Sequence, residues 1–242
     1  MHNILFIVAS SLEEIELAPL TRPAVYAPNE ELVLWGIRFY VQCVIAHLRT
    51  ILRGLVQLTE AGNVPTAFVL CRHVFEWTAH TCYMSRNLKN YLMQKQWKRA
   101  WHLLSLATEG NRWAKEHGPK YAPTIVTDGI PDPLSIANVV TAYEEYQHQS
   151  YGERDAKDSY GLLSEHSHPN SSCFHAYCEY VGPQVKFIEP ATHSFLFAEE
   201  RCLLELMQFL NELSVLGQDR TLASKILATR KQIADLAAAG SV

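Results

Sequence analysis

The stretch Val64 to Ser85, VPTAFVLCRHVFEWTAHTCYMS, limits the fold more than any other part of the chain. Pro65 suits the first turn of a helix, where its missing N–H leaves no hydrogen bond unmade. Phe68, Cys71, Phe75, Thr78 and Cys82 follow in steps of three and four, so one helical face is oily throughout. Val69, Leu70, Val74, Trp77 and Ala79 carry apolar surface round most of the remaining circumference. A helix of that kind is packed on several sides and is central to its domain. Two charges interrupt it, Arg72 and Glu76, one turn apart on a common face. Burying either one alone is strongly unfavourable, so the fold must supply partners.

The flanking patterns extend this helix into a bundle. Asn29 reads as an N-cap, Glu30 and Glu31 suit the positive end of a helix, and Leu34, Ile37, Val41, Val44, Leu48, Ile51 and Leu55 continue the apolar series. Gly62 and Asn63 stop that helix, and the short link makes it antiparallel to the central one. Upstream, Asn3 to Ala9 fits either a short buried strand or the first turn of a helix. Pro19, Pro23 and Pro28 then exclude a regular helix, so residues 1–29 are expected as an arm over a single helical domain of 30–242. Downstream, a break is expected at Asn87 to Asn90, then a helix carried by Leu92, Trp97, Trp101, Leu104 and Leu106.

Asp132-Pro133 is a start signal for a helix through Ile136, Val139, Val140, Tyr143 and Tyr146. Phe174, Ala176, Cys178 and Tyr180 alternate, Gly182-Pro183 marks a turn, and Val185 and Phe187 resume, which predicts a hairpin over about 174–188. An apolar helix from His193 to Leu216 is stopped by Gly217, and Asp219 or Thr221 caps a last one. The expected fold is mainly α: a multi-helix bundle of six to seven helices with a small β-hairpin insert.

Charge and cysteine usage narrow the function classes. A net charge of -4 gives no overall basic field for nonspecific nucleic-acid binding. The local strip Lys95, Lys98 and Arg99 reads as a solvated helix face. The 6 cysteines form no C-x-x-C pair, and Cys43, Cys71, Cys82 and Cys202 lie in helical apolar patterns as small hydrophobes. Ile4 to Ala9 is too short for a secretory leader and lacks a basic start, and no long charge-free apolar run is present. A reduced, cytoplasmic protein without a membrane span is expected.

A second polar segment, SYGLLSEHSHPNSS, places Tyr160, Ser164 and His168 four residues apart on one helical stripe, ended by Pro169. Together with Arg72 and Glu76 these side chains suit two different roles. They can satisfy one another as a closed hydrogen-bond network that pins helices. They can equally form an acid–base site, with His168 carrying the proton, Glu76 fixing its tautomer and Arg72 binding an anion. Metal chemistry has weaker support: Glu165-x-x-His168 lacks a second copy, and His166, His168, His175 and Cys173 have no diagnostic zinc spacing. Ser164, mid-helix, lacks the exposed turn of a nucleophile. No metal or cofactor is expected.

Arg72-x3-Glu76 on a central helix, followed by Tyr160-x3-Ser164-x3-His168-Pro169, resembles an all-helical bacterial domain family of unknown function. The resemblance spans roughly residues 30–216 and rests on about ten positions. That family has been compared with the HEPN (higher eukaryote and prokaryote nucleotide-binding) helical bundles, many of them RNases in phage defence. The resemblance implies a bacterial accessory or defence-type protein, a metal-independent HEPN-like ribonuclease built on Arg72, Glu76, Tyr160, Ser164 and His168. RNA or a protein would be its partner, and a homodimer is compatible with it. Those RNases carry Arg-x4-6-His, which Arg112-x4-His117 matches in spacing at a helix end, while His168 has no arginine so placed. The alternative is a non-enzymatic helical interaction module in which the cluster is only structural.

Overall fold

The structure, a computed structural model, describes residues 3–25, 27–108, 134–152, 155–167, 178–181, 184–187 and 193–238. Eight helices lie among them: α1 (Asn3–Glu14), α2 (Glu30–Glu60), α3 (Val64–Met93), α4 (Trp97–Thr108), α5 (Ile136–Tyr151), α6 (Ala156–Ser167), α7 (His193–Leu216) and α8 (Arg220–Ala238). As its apolar circumference requires, α3 is central, packing against α2, α4, α5, α6 and α7. Val74, Phe75, Ala79, Cys82, Met84 and Leu88 of α3 are buried in one continuous core with Tyr143 of α5 and Leu206 and Leu210 of α7.

The caps explain the helix limits. Asn29 accepts a hydrogen bond from the Leu32 N–H at 2.9 Å and opens α2. Gly62, at φ 67°, closes α2 in the left-handed conformation, and the Asn63 N–H bonds back to the Leu58 carbonyl at 2.9 Å. Asp219 accepts from the Leu222 N–H at 3.0 Å and is the cap that starts α8. α3 does not break at Asn87 to Asn90 as expected. The Asn87 amide donates to the Tyr83 carbonyl at 2.8 Å, so the side chain is satisfied within the helix, which runs on to Met93. α5 is preceded by Ser135 as N-cap, without a side-chain cap bond; Asp132-Pro133 lies outside the described residues.

The expected fold class needs correction on two counts. Among the described residues the helices number eight rather than six or seven, the additional one being α1. Its Ile4, Leu5, Val8 and Leu12 are buried in the common core. Arg49 of α2 donates to the carbonyls of Leu12 and Ile15, placing a cation on the C-terminal end of α1. The hairpin insert over 174–188 is not upheld as a component of the fold. Among the described residues, Cys178–Val181 pairs antiparallel with Gln184–Phe187, in register Cys178 to Phe187, a ribbon of two four-residue strands too short to form a layer. The rest of 174–188 lies outside the described residues, and the described core is built by helices.

Among the described helices, α2 is long and apolar enough to cross a membrane by length and composition, with 50% of its most apolar window buried in the fold. A core helix passes the same test, and Val33, Ile37, Val41, Val44, Leu48 and Leu52 of α2 are all fully buried.

Candidate functional site

The two charges of α3 meet their partner on α6. Arg72 Nε donates to Glu76 Oε1 at 2.9 Å, an i,i+4 pair along the helix. Arg72 Nη2 donates to the Tyr160 hydroxyl at 2.9 Å, and that hydroxyl donates to the same Glu76 oxygen at 3.3 Å. The guanidinium carbon lies 5.2 Å from the centre of the Tyr160 ring, whose other contact is Phe75 at 5.9 Å. One carboxylate oxygen therefore joins a guanidinium and a phenol that are 88 residues apart in the chain. Both charged side chains retain 24% of their exposure, so the cluster is half-sealed. Burial disfavours the charged guanidinium, but the Tyr160 hydrogen bond and the Glu76 charge outweigh it and hold the Arg72 pKa above its ordinary value. The other Glu76 oxygen lies 3.5 Å from His73 Nδ1.

Of the five residues singled out in the sequence, Arg72, Glu76 and Tyr160 are thus brought together. Ser164 sits one turn along α6, its hydroxyl oxygen buried and without a hydrogen-bond partner among the described residues. His168 lies outside the described residues, as do Arg112, His117, Cys173 and His175. Among the described residues no group of three His, Cys, Asp or Glu side chains is placed to hold a metal ion.

Two further polar centres were not singled out in the sequence. In the core, the Tyr143 hydroxyl of α5 donates to Glu205 Oε2 of α7, with Tyr143 0% and Glu205 4% exposed. Burial first, then Cys202 and Glu205, push the Tyr143 phenol well above its ordinary pKa. The signal for Glu205 was the same as for Arg72: one charge within the apolar run CLLELMQFL. The second centre joins α2 to α3. Tyr40 and His80 Nδ1 are hydrogen-bonded at 2.8 Å, and the Trp77 ring stands 5.6 Å from His80 and 5.3 Å from His47. Burial lowers the His80 pKa to about 4.

No protein-family model, no curated protein and no solved structure matches this chain. Its function is therefore read from the geometry alone.

Proposed function

We propose that the chain is a non-enzymatic helical interaction module, and that Arg72, Glu76 and Tyr160 form the pin that fixes α6 on the central helix. The shared acceptor is the observation that carries this reading. Glu76 Oε1 accepts from both Arg72 and Tyr160, so one carboxylate oxygen ties α6 to α3 and offsets the guanidinium charge. The surface such a module offers to a protein partner lies on α2 and α3. On these two helices Phe39 and Val69 are exposed at 38% and 36%.

A second reading, metal-independent RNA cleavage in a cytoplasmic HEPN-like defence protein, is favoured by the residual exposure of Arg72 and Glu76 and by the buried Ser164 hydroxyl one turn along α6 from Tyr160, without a hydrogen-bond partner among the described residues. The two readings separate on Tyr160→Phe and His168→Gln, assayed on single-stranded RNA in chelator. The module reading predicts that Tyr160→Phe loses about 1–2 kcal/mol of stability. It also predicts that any RNA cleavage in the preparation stays unchanged per folded molecule in both variants. A loss of about a hundredfold in cleavage by either variant, stably folded, overturns the module reading in favour of acid–base catalysis.

A further inference from the structure

Between α1 and α2 the arm has two fixed ends. Ile15 is buried and its carbonyl accepts from Arg49, and Asn29 caps α2. Residues 16–25 between them have no regular structure, and Glu16, Ala18, Pro19, Thr21, Arg22 and Ala24 are exposed. Among the described residues, the one backbone hydrogen bond of 16–25 runs from the Val25 N–H to the Pro23 carbonyl at 3.0 Å, within the arm itself. Leu17 packs on the core near the first fixed end. Farther along, Arg22 crosses to two helices at once. Its guanidinium carbon lies 5.7 Å from the centre of the Trp35 ring of α2 and 5.5 Å from that of Trp101 of α4. Both distances are within cation–π range, and the side chain makes no ion pair among the described residues.

The rings that receive Arg22 are held by the bundle and not by the arm. The Trp35 Nε1 edge is sealed from solvent, and Phe39 stacks on Trp35 at 5.3 Å. Trp101 lies against α2 at Gly36, where a Cβ would stand 3.0 Å from Trp101 Cζ3. The two indoles stand 6.4 Å apart at 37° and face the same cation. A rigid aromatic pair thus holds one arginine from an extended, proline-flanked segment with few hydrogen bonds, the kind of segment that opens first. At an exposed site each cation–π contact favours closure by a factor of about two to five, so the two together give about five- to thirtyfold. A latch of that strength is closed most of the time and still open to competition.

We infer that Trp35 and Trp101 form a docking site for an extended, arginine-bearing segment of a protein partner, and that Arg22 is its internal, autoinhibitory occupant. The partner's arginine takes the place of Arg22 between the indoles, and the arm lifts from α2 and α4. The site goes beyond the module reading and stands whether the Arg72 cluster is a pin or a catalytic centre.

The test uses the arm's own sequence in trans. An acetylated and amidated peptide copying residues 19–24, PLTRPA, is titrated by NMR into the full chain and into Arg22→Gln, beside the same peptide with glutamine for its arginine. Arg22→Gln is expected to bind the arginine peptide saturably, with shifts of the Trp35 and Trp101 indole N–H signals. The unaltered protein should bind it about five- to thirtyfold more weakly, because Arg22 competes. The glutamine peptide should be weaker by a similar factor. In the unaltered protein, the Arg22 side-chain protons should be shifted by the indole ring currents and move towards random-coil positions as the peptide saturates, a readout that needs no variant. The inference is overturned if the arginine peptide fails to bind Arg22→Gln, if the glutamine peptide binds as tightly, or if the unaltered protein binds as tightly as Arg22→Gln. Arg22 signals that stay unmoved at saturation overturn it as well.

Discussion

At the scale of single residues, Arg72 and Glu76 show how a charge inside an apolar pattern announces a partner without naming it. The demand was legible on α3, and the four-residue stripe on α6 supplied Tyr160. Ser164 was legible as a neighbour, yet its hydroxyl bonds to nothing among the described residues. Glu76→Ala leaves Arg72 and Tyr160 without their common acceptor. Because the pair is partly exposed, the expected loss is about 1–3 kcal/mol, between the surface and buried extremes, read from the denaturant midpoint. His80 makes a pH prediction. Its folded pKa of about 4 lies below the ordinary 6.5, so the unfolded chain takes up a proton that the folded chain resists. The stability due to neutral His80 is complete above 6.5 and is lost as the pH falls from there towards about 4. Comparing unfolding midpoints at about pH 7 and about pH 4.5, His80→Gln should show a drop smaller by roughly 2–3 kcal/mol than the unaltered protein. An identical drop in both proteins would show that His80 is freely protonated in the folded state.

At the scale of elements, the helices with strong caps were readable and their irregular ends were not. Asn29, Gly62 and Asp219 are residues that a helix end asks for by chemistry, and all three act as caps. The end of α3 gave no such sign, because Lys95 takes the left-handed position at φ 53° that glycine usually holds. α1 was obscured because a short apolar run fits strand and helix equally, and only its burial against α2 and its Arg49 contacts decide. The alternation at 174–180 has the period of a strand, but the two described strands, of four residues each, do not make a layer of the fold. The contact between α2 and α4 also invites a test. A Cβ on Gly36 would meet Leu104 Cδ1 and Trp101 Cζ3, each at 3.0 Å. Gly36→Ala gains helix propensity but overpacks that contact, so a net loss of about 1–3 kcal/mol is expected, with an unchanged denaturant slope. A stabilised variant would show that α4 yields freely and is not fastened to α2.

At the scale of the whole molecule, the chain is a helical body arranged around α3, and its core thiols report on that body. Cys71, Cys82 and Cys202 are buried, whereas Cys43 is exposed. Under native conditions Cys43 should react promptly with a thiol reagent, while the other three wait for global opening and share one rate. Early labelling of Cys202 would mean that α7 opens independently of α3. The general layout was legible because apolar periodicity fixes which helix lies in the middle. The pairing of polar groups across distant helices depends on register and side-chain reach, which periodicity does not specify. The central claim, that Arg72 and Tyr160 act together to fasten α6 to α3, is tested most directly by a double-mutant cycle. Unfolding free energies of the unaltered protein, Arg72→Gln, Tyr160→Phe and the double variant give the coupling. The account predicts about 1 kcal/mol or more of favourable coupling. A coupling within about 0.3 kcal/mol of zero would contradict it.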